Sequence, residues 1–233
     1  MGVGDQARKT LTLALDKGIA VQQPTVEKYI ARARQRNPAA TPSQVIASLE
    51  RQYLSAVITL GGASGAAAAA PAVGTGVGLM VNIAEVGAFI EASALFSLAV
   101  SDVHGVEIHD LERRRTLLMA VLMGNSGSQI VEKMAGKTGT YWAKSFVKAV
   151  PMAKIDAVNK VLGPRFITKY GTKQGTLVLG RDLPFGFGAA IGVAGNAVLG
   201  RMTVAGARRA FGPAPQDWPP KLPSIDAGPG SPT

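Results

Sequence analysis

LSAVITLGGASGAAAAAPAVGTGVGLMVNIAEVGAFIEASALFSLAV, residues 54–100, contains no basic side chain, and its only charges are Glu85 and Glu91. The run PAVGTGVG at Pro71–Gly78 divides it into apolar halves of about 17 and 22 residues, each close to the length that approaches or crosses a hydrocarbon core. A helical hairpin is the natural reading. Gly61 and Gly65 lie four apart, as do Gly74 and Gly78, and Ala84, Ala88 and Ala92 continue the spacing. Small residues at that interval strip one helix face of bulk and let two backbones approach closely. Two placements remain open, an inserted hairpin and a buried hairpin in a membrane-peripheral fold. Ala and Gly drive insertion weakly, and a carboxylate near the bilayer centre is costly.

Upstream, Thr41-Pro42-Ser43-Gln44 predicts a helix start, with a capping hydroxyl at N-cap, proline at N1 and a reciprocal Gln at N3. Val45, Leu49, Tyr53, Val57 and Leu60 then form one stripe, so this helix should run unbroken into the apolar region. Before it, Pro24 and Thr25 open a shorter helix carrying Val26, Tyr29, Ile30 and Ala33 on one face and closing near Asn37. Downstream, DVHGVEIHDLE (102–112) predicts a turn ending in an N-cap at Asp110, followed by Arg113, Arg114 and Arg115 and then Leu117, Leu118, Val121 and Leu122.

From Glu132 to Arg181 ten basic residues stand against two acidic ones. Lys133, Lys137, Lys144 and Lys148 fall on one face if the helix is continuous, with Trp142 and Phe146 toward the other. That is the form of a basic amphipathic helix with an aromatic anchor, suited to anionic headgroups. Leu183–Phe211 carries a second ladder, Gly188, Gly192, Asn196 and Gly200, and marks another close-packing face. The tail from Gly212 is rich in Pro and Gly and is expected to be disordered.

The chain of 233 residues is 47% hydrophobic and only 17% charged, below the quarter or so usual for soluble domains. Its net charge of +10 implies attraction to polyanions, either nucleic acid or an anionic membrane leaflet. Without cysteine it has no thiol nucleophile, disulfide or Cys-based metal site. The start MGVGDQARKT lacks the apolar core of a signal peptide, so export by that route is not expected, and Gln6 stands where a myristoylation motif needs Ser or Thr. The expected division is a basic helical segment at 1–40, an all-α domain at 41–211 built as a helical bundle around the hairpin, and a tail at 212–233.

Motifs that hint at chemistry read more simply as structure. Gly136-Lys137-Thr138 ends like a phosphate-binding loop, but Val131 stands where its first glycine belongs and no strand precedes it. His104, Glu107, His109 and Asp110 offer metal-ligand types without a ligand spacing, and a solvated turn with a helix cap accounts for them. Gly74–Gly78 lacks the strand and acidic residue of a dinucleotide fingerprint. Glu85 and Glu91, ionisable groups in an apolar helix, are functional candidates by position. The simpler expectation is that each meets a basic partner such as one of Arg113 to Arg115. No catalytic residue, cofactor or metal site is expected.

Three stretches resemble the EcsC family of bacterial proteins: GGASGAAAAAPAVGTGVG with NIAEVGAF, KIDAVNKVLGPRFITKYGTK, and DLPFGFGAAIGVAGNAVLGRMTVAGARRAF. The likeness covers most of Leu54–Phe211, and its most specific positions are Asn159, Lys160, Gly163, Pro184, Gly188, Gly192 and Asn196. It implies a helical, membrane-associated protein of poorly defined activity, with one family member encoded beside a transporter linked to secretion. Glu85 stands where family members tend to place an Asp. The expectation is a non-enzymatic protein on the cytoplasmic side of a membrane, binding anionic lipid or a membrane partner. The alternative is a nucleic-acid-binding helical protein using the region 132–181.

Overall fold

The computed structural model describes the backbone of residues 3–35, 37–68, 75–136, 141–181 and 187–219, and the side chains of these except 3–7, 67–68, 75–83, 169, 171–181 and 187–191. Every regular element among them is a helix, so the fold is all-α as the sequence predicts. In chain order these are α1 (Val3–Ile19), α2 (Gln23–Arg34), α3 (Pro42–Ala68), α4 (Thr75–Val103), α5 (Leu111–Met123), α6 (Asn125–Ala135), α7 (Trp142–Ala149), α8 (Met152–Arg181) and α9 (Phe187–Phe211).

The predicted starts form by the predicted chemistry. Gln44 N–H donates to Thr41 Oγ1 at 3.3 Å and Thr41 N–H donates to Gln44 Oε1 at 3.0 Å, a complete capping box. Asp110 Oδ1 accepts from Arg113 N–H at 2.8 Å and opens α5. The stripe Val45, Leu49, Tyr53 and Val57 is buried along α3, which continues without a break to Ala68. Helix α1 was not among the sequence expectations. Its Leu11, Leu15 and Ile19 carry the helical spacing and join the same core cluster as Val26 and Ile30 of α2, so α1 and α2 pack as part of the main body.

The register of the long helices follows from a few contacts. Tyr53 on α3 donates its hydroxyl to Ser93 Oγ on α4 at 2.8 Å, since Ser93 spends its own hydrogen on the Phe89 carbonyl. The Tyr53 ring stacks on Phe96 at 4.6 Å. On α9, Gly192 faces Gly61, Gly200 faces Leu54 and Val57, and Arg208 binds Glu50 through two bonds of 2.7 and 2.5 Å. Rising numbers on α9 meet falling numbers on α3, so the two helices are antiparallel. The end of α3 and the starts of α4 and α9 therefore share one end of the bundle. At the other end His104 stacks on Phe211 at 5.3 Å, and Arg113 donates to the carbonyls of Phe146 and Val150 at 2.9 and 2.8 Å, capping α7.

Two expectations are corrected. Residues 133–148 do not form one helix, because Gly136 adopts φ +94° and separates α6 from α7. The tail is not free from Gly212 onward. Trp218 donates its indole N–H to the Ala40 carbonyl at 3.1 Å, lies 4.4 Å beneath the Arg34 guanidinium, and holds 212–219 against the α2–α3 corner. One aromatic residue in a Pro-rich segment supplies enough apolar area to fix it. Residues 220–233 lie outside the described set.

Burial pushes the Tyr29 and Tyr53 hydroxyls up from 10.0 to about 12 and raises that of Tyr170 as well. A raised phenol contributes stability that is complete below its unfolded value and lost as pH climbs through the folded one. Unfolding free energy should therefore fall across roughly pH 10–12, with phenolate absorbance for these rings appearing together with loss of helix. Ionisation of all tyrosines near pH 10 with helix intact would contradict their burial.

The glycines give a sharper test. A Cβ at Gly61 would overlap the Gly192 carbonyl, whereas one at Gly87 meets nothing within 4 Å. Gly61→Ala should cost about 1–3 kcal/mol by forcing backbones apart, and Gly87→Ala should stabilise by about 0.5–1 kcal/mol in chemical denaturation.

Candidate membrane-contact surface

The small-residue ladders read from the sequence meet each other. Gly61 on α3 and Gly192 on α9 touch through backbone, and Asn196 one turn further along α9 reaches between three helices. Its Nδ2 donates to the Val57 carbonyl on α3 at 2.9 Å and to Glu85 Oε1 on α4 at 3.0 Å. Glu85 and Asn196 are both buried, so these side-chain and backbone bonds form where water does not compete. Gly65 is buried nearby on α3, while Gly74 and the surroundings of Gly78 and Gly188 lie outside the described residues.

The expected partnership of these carboxylates with the arginine run is corrected. Arg113 caps α7. Arg114, buried, donates to the carbonyls of Ile108, Ile19 and Val21 at 2.5, 3.2 and 2.6 Å and so closes the end of α1. Desolvation lowers its pKa. Arg115 pairs with Asp16 at 3.0 Å and lies 3.4 Å from Glu112. These side chains are drawn to helix C-terminal carbonyls and acidic residues at the opposite end from Glu85, because carbonyls unsatisfied at helix ends are the nearest strong acceptors. Glu91 is exposed on the outward face of α4.

From Glu91 back toward the start of α4, the described exposed positions of that face carry no charge, as do those of α3 and α9 beside it. On α3 the exposed positions beyond Gln52 are Ser55, Ala56, Thr59, Ala63 and Ala66, and on α4 they include Ala84 and Ala88. On α9 Val193 and Val198 are 39% and 55% exposed, with Ala194 beside them. The first charges toward the other end are Arg51, Glu91 and Arg201, all exposed. Tyr53 bonds to Ser93 and lies beside Gly200, so each of these charges sits within two residues of one common level, about 3 Å of helical rise.

The basic region is arranged differently from the expected amphipathic helix. Lys133 is exposed on α6 and Lys144 and Lys148 on α7, while Lys137 lies outside the described residues. Trp142 and Phe146, expected to face a membrane, are fully buried. Trp142 donates its indole N–H to Ser128 Oγ at 3.1 Å and meets the Phe146 ring edge-on at 5.8 Å. With the helix broken at Gly136, α7 rolls its only large apolar side chains into the core, where a satisfied indole is stable.

No described feature has the form of an active site. His109 lies 3.4 Å from Glu107, Asp110 caps α5, and His104 Nδ1 is 2.8 Å from the Val100 carbonyl. Among the described residues no group of three or more potential ligands is placed to hold a metal. A cavity of about 110 Å³ between α1, α5 and α8, lined by Leu15, Arg115, Met119, Asn159 and Phe166, is small beside the roughly 300–1,000 Å³ of typical ligand pockets. Asn159, prominent in the resemblance, ties α8 to α5 by donating to Glu112 Oε2 at 2.9 Å and accepting from Thr116 at 2.7 Å.

Sequence reading missed Arg114 as a buried helix-capping group, and only the position of the run just after an N-cap signalled it. Among the described residues one helix segment, Ala84–Val103, is long and apolar enough to cross a membrane, and 61% of its apolar stretch is buried inside the fold. No family model matches the chain, and no curated protein or solved structure is similar to it.

Replacing Asn196 tests the three-helix contact. Asn196→Ala should cost about 2–3 kcal/mol by removing the two buried hydrogen bonds that tie α9 to α3 and α4, and Asn196→Asp should cost more at neutral pH because a second carboxyl then faces Glu85. Equal stability of both variants and the parent would show that Asn196 does not hold the helices together.

Proposed function

We propose that this is a non-enzymatic, membrane-associated helical protein that binds an anionic membrane or a membrane partner from the cytoplasmic side. The observation that carries the reading is the uncharged surface of α3, α4 and α9 in a chain of net charge +10. An exposed face of small and apolar residues bounded by charge supports an interaction surface, and an excess of cations favours an anionic partner. The likeness to the EcsC family points the same way and adds a link to transport or secretion.

A second reading, nucleic-acid binding, draws on the exposure of Lys133, Lys144 and Lys148, which no longer share their helices with an outward aromatic. Phosphate contacts need such lysines but give no use to an apolar face.

Cell fractionation separates the two. The protein should pellet with membranes and stay there through a high-salt wash, since apolar contact is not screened. Recovery wholly in the soluble fraction, with nucleic acid that leaves as salt rises, would favour the second reading.

A further inference from the structure

We infer that the cavity between α1, α5 and α8 binds the alkyl chain of a small uncharged amphiphile of the alcohol class, with the polar head at its rim. The site shares no residue with the α3, α4 and α9 surface on which the membrane reading stands, and is tested independently of it.

The space comes from a missing side chain. On α8, Asn159, Gly163, Phe166 and Ile167 stand at i, i+4, i+7 and i+8 and form one wall of the cavity. Gly163 leaves a gap in that row, and a Cβ there would meet nothing within 4 Å. The local cause is Pro164, which lies inside the helix. Its ring crowds the Cβ of a preceding residue held in helical conformation, so glycine is the residue that fits there without strain. Helices α1 and α5 close around the gap with Leu11, Leu15 and Met119.

The lining is apolar within and polar at the rim. Leu11, Leu15, Met119 and Phe166 are at most 5% exposed, whereas Thr12 is exposed and Arg115 and Asn159 are half-buried. An apolar chain entering such a space displaces water that finds few partners there, which favours binding. At about 110 Å³ the cavity is smaller than the roughly 150 Å³ one that holds benzene in an engineered protein, so it suits a short chain rather than a ring.

The rim selects the head. Asn159 is fully engaged, donating to the Glu112 carbonyl and Oε2 and accepting from Thr116. Arg115 is held by Asp16 at 3.0 Å and stands 3.4 Å from Glu112. A carboxylate head would come up against two carboxylates that already neutralise the guanidinium, and an ammonium head against the guanidinium itself. A hydroxyl carries neither penalty. Thr12 Oγ1, which donates to the Arg8 carbonyl at 3.0 Å, keeps lone pairs to accept from it.

The Met119 methyl, 1% exposed, reports occupancy. In protein labelled with carbon-13 at its methionine methyls, 1-pentanol should shift the Met119 signal along a saturating curve, with no saturation at Met152, which is 39% exposed. Affinity should rise about fourfold per methylene from ethanol upward and level off once the chain outgrows the cavity. Pentanoate and pentylammonium should bind about tenfold more weakly than pentanol. Pro164→Ala should leave the response intact, since Pro164 is exposed, and Pro164→Ala combined with Gly163→Leu should abolish it by filling the gap. Ile167→Phe fills the same wall from another position and should also abolish it, so loss of fold in one filled variant leaves the other to decide. A Met119 signal that does not saturate in the parent protein, or that responds equally in a folded filled variant, overturns the site. Equal affinity for pentanoate overturns the uncharged head.

Discussion

The backbone contact between Gly61 and Gly192 sets the geometry on which the rest of the molecule depends. With no side chain on either residue, α3 and α9 approach until Asn196 can reach the Val57 carbonyl on one neighbour and Glu85 on the other. A larger residue at the crossing would separate the helices and pull Asn196 away from the Val57 carbonyl and Glu85, so close packing and these polar contacts are one constraint. The same device recurs where Gly206 of α9 meets the Val121 carbonyl and Gly127 of α6 meets Ala120. Small residues thus let nearly featureless helices find a unique arrangement.

At the other end the molecule is fixed by charge rather than by absence of bulk. Three consecutive arginines at the start of α5 diverge to the end of α7, the end of α1 and an acidic pair. Each helix C-terminus carries unsatisfied carbonyls and a partial negative charge, and a guanidinium with five donors answers both. Arg208 and Glu50 join α3 to α9 on the same side of the Tyr53 level, and the Trp218 strap closes the α2–α3 corner. Among the described residues, the exposed positions on the opposite half of α3, α4 and α9 are Ala, Val, Ser and Thr.

This polarity of construction accounts for an otherwise odd composition. A chain low in charge yet strongly basic uses several of its cations to cap helices, and the described exposed positions of α3, α4 and α9 beyond Arg51, Glu91 and Arg201 carry none. The buried part of α4 shows why hydropathy alone is a poor guide here: a segment apolar enough to cross a bilayer is mostly enclosed by α1, α3 and α5. The outer faces beside it, built from smaller and less hydrophobic residues, are the ones left open.

The sequence by itself determined where α2, α3 and α5 begin, which residues line the inner stripe of α3 and where small residues permit close approach. Those features are local: a capping box, a 3.6-residue period and a missing side chain act within a few residues of where they are read. It did not determine which faces meet. Trp142 and Phe146 looked like an outward anchor because lysines flanked them at helical spacing, but the chain leaves α6 at Gly136 and α7 is a separate helix that packs both rings inward. The partners of Glu85 and of the arginine run were likewise set by tertiary packing, since a buried polar group takes whichever donor or acceptor the crossing of distant helices brings within 3 Å, and no sequence interval encodes that distance.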